Sequence, residues 1–361
     1  MGTWVFEGFA SVGLFLVLLP ALIPALIAVL YRRYRYLPLV PTFWAVVAFL
    51  YACALVAFTT FPLPDTPQDF CTERSRFDYW LLEPGRSIGD ISDRIAEVGL
   101  TSTLTSGVFL QVAFNVVFFV PLGFLVAYLL RRGIGWAVGL GFATSLLIES
   151  TQGTGLWFLY PCPYRVAEVD DLFTNTSGAV IGWGVGWLVS RVLPFREPER
   201  RTDLLPPSTG RRILATVADL FIVLVLTLAV DVVLLLIADL RGIDASDATP
   251  WVQGFSYLFG AFLLLGIPLL RRDRATLGQS AVLVGLAPAS GEGRVGPWSL
   301  VVRFVVRWLP ILLVGSWTIL VVAAVETATV VIRSDRRSLA GLLGKTTTLT
   351  RDRLEQGPPG G

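Results

Sequence analysis

The stretch "AEVDDLFTNTSGAVIGW", residues 167 to 183, decides how this chain is read. Three carboxylates, Glu168, Asp170 and Asp171, open it; Asn175 follows four residues after Asp171, and the text then turns small and apolar. An ionised group at mid-bilayer costs about 2.5–3.5 kcal/mol on insertion scales, so a helix that starts this way must keep its carboxylates at its mouth or inside a bundle. The rest of the chain supplies the bundle. Of 361 residues, 54% are hydrophobic and 16% charged, and the mean hydropathy is +0.68. Apolar runs fall at about 8–30, 41–61, 108–130, 134–152, 172–193, 213–238 and 251–270, with a longer run at 301–332. Most match the roughly 20 residues that cross a hydrocarbon core. The expected fold is all-α: a polytopic helical membrane protein with about 7–9 transmembrane helices in two bundles.

The first run is too long for the apolar region of a removable signal peptide. It ends in Tyr31-Arg32-Arg33, without a small-residue cleavage site.

Charge alternates along the connecting segments. Arg32, Arg33 and Arg35, then Arg131 and Arg132, then Arg196 to Arg212, then Arg271, Arg272 and Arg274 occupy every second one. The positive-inside rule places these in the cytoplasm. The N-terminus and the segments 62–107, 153–171 and 239–250 are then expected outside. The run at 301–332 is basic on both flanks, with Arg303 and Arg307 at its start and Arg333, Arg336, Arg337 and Lys345 past its end. Its charges favour a broken hairpin turning near Pro310 or Gly315-Ser316. The alternative is an interfacial helix at about 296–309 followed by one crossing.

The domain boundaries follow from composition. Residues 1–193 form a first transmembrane domain. The Pro- and charge-rich stretch 194–212, "PFREPERRTDLLPPSTGRR", is a linker; 213–350 form a second transmembrane domain and 351–361 a disordered tail. In the long outer segment, Ile88, Ile91, Ile95 and Val98 recur at helical spacing, with Asp90, Asp93, Arg94 and Glu97 on other faces. That pattern predicts an amphipathic helix lying on the bundle end or the membrane surface.

The chain has no histidine, which removes the commonest general base and any Ser-His triad. Its three cysteines lack metal or redox spacing, so no His- or Cys-type metal site is expected. Cys71 and Cys162 both fall in outer segments, where a disulfide is permitted, whereas Cys53 sits inside a span. Cofactors are otherwise open: oxygen ligands on Glu149, Asp170 and Asp171 suit a divalent cation without demanding one. The basic residues lie in short loops and do not suggest nucleic-acid binding.

Three spans carry polar groups at similar depth. Asn115 lies about seven residues inside the third. Glu149 and Gln152 share a face of the fourth, and Asp171 and Asn175 share a face of the fifth. Arg165, in the preceding loop, is the expected partner for Glu149, Asp170 or Asp171. The small-residue run 178–186 suits close packing against a neighbouring helix. Asp and Asn near a helix start are also ordinary caps, so structure and chemistry both have a claim on this group.

The ordered set Asn115, Pro121, Gly123, Glu149, Gln152, Arg165, Asp170, Asp171, Asn175 and Gly178 resembles the VanZ-like family over about residues 41–193. The resemblance implies a bacterial multi-pass membrane protein whose prototype lowers susceptibility to the glycopeptide teicoplanin. It makes a cell-wall precursor or a glycopeptide-related molecule the expected ligand. Glu149 and Asp171 are the candidate catalytic or acid/base groups, and Asn115, Gln152, Arg165, Asp170 and Asn175 the candidate binding groups. Whether they catalyse or only bind is left open.

The second half resembles the RDD family over about residues 208–350, through Arg212 and Asp219, seven apart on one helix face, and through "ATLGQS" (275–280), Arg303 and Arg307. Some RDD proteins are linked to cation/proton exchange. This chain has Gln279 where the family has Lys, and Ala340-Gly341 where it has a His-Asp pair. An ion pair of Asp219 with Arg303 or Arg307 is the structural alternative. Two rival functions therefore stand beside the envelope reading: an ion-coupled carrier using intramembrane Asp and Glu, and a scaffold whose charges lock helices together.

Overall fold

The computed structural model describes residues 3–61, 79–163, 165–291, 293–314 and 317–356, with side chains from residue 12 onward. Contacts divide the chain into two units, Met1–Phe15 with Val46–Glu197, and Leu16–Ala45 with Pro198–Gly361. Among the described residues six helical segments are long and apolar enough to cross a membrane: Val12–Tyr34, Leu39–Thr60, Gly107–Tyr128, Ile134–Gly153, Thr209–Leu240 and Ala245–Leu270. The protein is an all-α polytopic membrane protein.

The N-terminal half begins with α1 (Thr3–Tyr34) and α2 (Leu39–Thr60), then a two-residue strand β1 (Trp80–Leu81). Next come α3 (Arg86–Val98), the short α4 (Leu100–Leu104), α5 (Gly107–Tyr128) and α6 (Ile134–Gly153). The turn α7 (Gly155–Phe158) is left-handed at Leu156, Trp157 and Phe158, with φ of 54°, 57° and 69°. It turns Trp157, Phe158 and Leu159 outward, the aromatic and apolar character of a membrane-interface anchor. Strand β2 (Ala167–Glu168) pairs in parallel with β1 and runs directly into α8 (Val169–Val192).

Helix α8 is held by its glycines. Gly178, Gly182 and Gly186 recur every four residues and so share one face. A Cβ on Gly178 or Gly182 would overlap the carbonyl oxygen of Val116 or Val120 on α5, and one on Gly186 would crowd that of Phe124. These partners rise together along both helices, so α5 and α8 run parallel at backbone contact. From the other side, Gly123 of α5 and Gly141 of α6 make room for Ala179. The sequence "TNTSG" and the glycines keep α8 off the hydropathy count. It nevertheless lies alongside α5 from Val116 to Phe124, through the depth that α5 spans. This is the small-residue mode by which membrane helices approach closely.

The amphipathic α3 forms as its spacing predicts. Arg86–Asp90 and Arg94–Glu97 ion pairs lie on its polar side, and Ile88, Ile95 and Val98 stay exposed. Cys53 is a buried free thiol, and Cys162 is buried and disulfide-bonded. Cys71, its expected partner, lies outside the described residues.

The other unit is built on α9 (Thr209–Leu240), capped at its N-terminus by the Ser208 hydroxyl. α10 (Ala245–Ala261) continues through one wide turn at Phe262–Gly266 into α11 (Ile267–Leu270). The single-turn α12 (Leu277–Ala281) carries a capping box between Thr276 and Gln279. Strand β3 (Val284–Pro288) pairs antiparallel with β4 (Thr346–Thr350). Between these strands lie α13 (Pro297–Arg307), α14 (Leu309–Val314), α15 (Thr318–Ile332) and α16 (Leu339–Leu343); α17 (Arg351–Glu355) follows β4.

The apolar run at 301–332 folds back on itself. The Thr318 hydroxyl donates to the Pro310 carbonyl, and Arg303, Arg307 and Ile311 share one cavity wall with Ile319, Val322 and Glu326. Leu312 packs beside Val223, Thr227 and Gly260, level with the middle of α9. The two arms thus form a hairpin whose described part reaches about half the length of α9. That geometry explains why both flanks of the run are basic.

Three boundaries differ from the sequence reading. Residues 16–45 pack with the C-terminal unit, because Ile27 and Tyr31 of α1 bury against Ala215, Ala218 and Val282–Val284. Within the linker, residues 201–211 are fastened by bonds to their surroundings. Asp203 pairs with Arg211, the Arg201 N–H donates to the Tyr34 carbonyl, and the Thr350 hydroxyl donates to the Asp203 carbonyl. In the expected tail, residues 351–355 form α17, and Asp352 pairs with Arg35 at 2.9 Å.

Candidate functional site

The polar residues at the start of α8 sort into two sets. Four of them converge. Glu149 on α6 is buried, and its Oε2 accepts the Glu168 backbone N–H at 2.9 Å. Asp171, Glu149 and Glu168 lie close enough to act on one another electrostatically, and the Asn115 amide faces the Asp171 carboxyl. Asn175 donates through Nδ2 to the Ser145 hydroxyl at 2.9 Å, and that hydroxyl donates to the Asp171 carbonyl at 3.2 Å. Ser145 and Glu149 are one turn apart on α6, so a single helix face meets the first turn and a half of α8. Asn115 Nδ2 is buried without a hydrogen bond of ordinary geometry, and the Asp171 carboxyl that the amide faces is the acceptor on which it acts.

The other three hold the frame. Asp170 turns away from the cluster. Its two carboxylate oxygens accept from the backbone N–H groups of Gly85 and Ser87, each at 2.7 Å, and so fasten the start of α3. Those bonds also hold its carboxyl in the charge-assisted geometry that ranks among the stronger hydrogen bonds. Gln152 donates to the Thr59 carbonyl at 2.9 Å. Arg165 donates to the carbonyls of Phe58 and Phe61, so its guanidinium caps the C-terminus of α2. Of the carboxylates expected to receive Arg165, Glu149 and Asp170 take backbone N–H groups and Asp171 faces the Asn115 amide. With Asp170 committed to α3, the oxygen set Glu149–Asp170–Asp171 does not converge. No group of three or more His, Cys, Asp or Glu with metal-holding geometry occurs among the described residues.

Sequence reasoning missed Glu168 and Ser145. Glu168 belongs to β2, and its side chain takes a 3.4 Å hydrogen bond from Gln111 on α5. The signal for Ser145 was available: it stands four residues before Glu149, on the same face.

In the second unit Asp219 is buried, accepting from the Thr276 hydroxyl and the Gly278 N–H, both at 2.6 Å. The expected ion pair with Arg303 or Arg307 is not formed; the carboxylate fastens α12 to α9 instead. Gly278 is required there, since a Cβ would overlap the backbone of Ala215. Arg303 donates to the Thr346 hydroxyl at 2.9 Å, Arg307 to Thr216, and Arg212 to Thr348 at 3.3 Å and to the Pro207 carbonyl at 3.2 Å. The neighbouring Arg211, to which the sequence assigned no role beyond charge, is the deeply bound one. It donates to the carbonyls of Val282 and Leu283, pairs with Asp203 and lies over the Tyr31 ring.

Fold and site together define a multi-pass helical membrane protein built of two units. Residues 48–190 match the VanZ/LLP1 family model, and residues 206–344 match the model of the RDD family. The chain is thus a VanZ-like domain followed in tandem by an RDD-family domain. No curated protein and no solved structure matches it.

Proposed function

We propose that the VanZ-like domain binds a component of the bacterial cell envelope at the outer leaflet and thereby alters susceptibility to teicoplanin-type glycopeptides. One observation carries this reading. Glu149, Asp171 and Glu168 converge beside the Asn115 amide, and none of these carboxylates forms an ion pair among the described residues. Arg165 is engaged at the end of α2. The cluster therefore favours a ligand that brings hydrogen-bond donors or a positive charge, such as an amine- or hydroxyl-bearing precursor, over an anionic one. The alternating arginines support the outward orientation of this end through the positive-inside rule. A Cys71–Cys162 bridge would hold the outer segments together, and non-reduced peptide mapping tests it.

The experiment compares teicoplanin susceptibility of a strain carrying the wild-type chain with strains carrying Glu149→Gln or Asp171→Asn, at matched membrane levels. The wild type is expected to shift susceptibility and both variants to lose the shift. A wild type without effect refutes the glycopeptide reading. Asp219 supports the carrier alternative poorly, since both its oxygens are tied to α12.

A further inference from the structure

We propose that the RDD-family domain holds a phosphate-bearing anion in the cavity between α9 and the α13–α15 hairpin. Arg212, Arg303 and Arg307 all line this cavity, whose volume is about 140 Å³. The three guanidiniums act on one another electrostatically, and Arg336 adds to the field at Arg212. Like charges gathered in a partly buried space repel unless an anion joins them.

The protein itself compensates in part: Glu326 acts on Arg212 and Arg303, and Asp219 on Arg307, which leaves three guanidiniums against two carboxylates. Glu326 is the carboxylate in the cavity wall, and its Oε1 already accepts the Ala340 N–H at 2.7 Å. Asp219, which faces Arg307, spends its oxygens on Thr276 and Gly278. Among the described residues none of the three cavity arginines forms an ion pair; they donate to neutral hydroxyls and a carbonyl. Arg307 Nε is buried without any hydrogen-bond partner. A fork of guanidinium donors with one donor idle matches the bidentate geometry by which arginine takes phosphate.

Leu220, Ile311 and Val322 give the remaining wall an apolar side, beside hydroxyls such as those of Thr216 and Thr327. An amphiphile could lay its phosphate on the arginines and its chain along this wall. The basic flanks place the arginine end on the cytoplasmic side, where anionic headgroups concentrate and basic pockets between helices receive them. Lipid headgroup and free phosphate present the same chemistry to the guanidiniums, and the test separates them.

Thermal unfolding of the full chain in an uncharged detergent would be followed with short-chain phosphatidylglycerol, with short-chain phosphatidylcholine and with inorganic phosphate. Phosphatidylglycerol alone raising Tm supports a lipid; inorganic phosphate raising it as well supports the phosphate group as sufficient. Arg307→Gln is expected to lose the rise. Val322→Phe, which fills the cavity without removing a charge, should lose it too and covers the case in which Arg307→Gln does not accumulate. No rise with either anion, an equal rise with phosphatidylcholine, or an undiminished rise in Val322→Phe overturns the proposal.

Discussion

A carboxylate that enters lipid at Asp170 and another at Asp171 differ by one position and by everything they touch. Asp170 satisfies two backbone donors of the α3 start, whereas Asp171 faces Asn115 and the other carboxylates. Asp170→Asn keeps the shape but places an amide donor against an N–H. Hydrogen bonds to charged groups contribute about 1.5–3 kcal/mol each. The variant should therefore lower Tm and membrane level clearly, and an unchanged melting curve would remove Asp170 from the frame. This division was only half legible in the sequence. The spacing of Asp171 and Asn175 put both on one face toward α6, which is where they lie. The partners of Asp170, Gln152 and Arg165 are backbone groups in segments far away in the chain, and no side-chain pattern announces a carbonyl or an N–H. Arg211 and Arg212 show the same limit: adjacent on α9, they face about 100° apart, and burial against Tyr31 picks out the first.

At the scale of elements, α8 is positioned by absence of side chains. The run of small residues from 178 to 186 signalled close packing, and the structure supplies the neighbour, α5, in parallel contact. Gly182→Leu would force its side chain into the Val120 backbone. Overpacking costs typically about 1–3 kcal/mol when the neighbours can yield, and a helix backbone yields little. The prediction is loss of folded protein for Gly182→Leu, while Gly184→Leu, with open space at its Cβ, accumulates normally. Equal levels of the two would contradict the α5–α8 contact. The basic flanks of 301–332 left a hairpin and an interfacial helix with one crossing both open, and it is the contact between the described arms that favours the hairpin. The short strands were not legible, because each of the β1–β2 and β3–β4 ladders joins segments distant in sequence, and a two-residue strand carries no periodicity.

For the whole molecule, the boundary between units is where sequence and contact disagree. Position along the chain assigns α1 to the first domain, yet the family match begins at residue 48 and residues 16–45 pack with the C-terminal unit. Ile27 and Tyr31 look like any lipid-facing apolar residues until their contacts with α9 and β3 are known. A fragment 198–361 expressed alone should therefore be less stable than one co-expressed with residues 1–45. Tyr31→Ala in the full chain should speed exchange of the amides around 211–219 more than those around 169–180. Removing a buried aromatic costs about 3–5 kcal/mol, enough to see by hydrogen exchange; equal protection in both regions would speak against this assignment.

The proposed function requires that Glu149 and Asp171 serve ligand binding while Asp170 serves structure. It is tested most directly by teicoplanin susceptibility per unit of protein in the membrane for Glu149→Gln beside Asp170→Asn. The account predicts that Glu149→Gln abolishes the wild-type shift at an undiminished protein level, whereas Asp170→Asn loses protein and shift in proportion. A Glu149→Gln strain that retains the shift, or loses it only as its protein level falls, would contradict it.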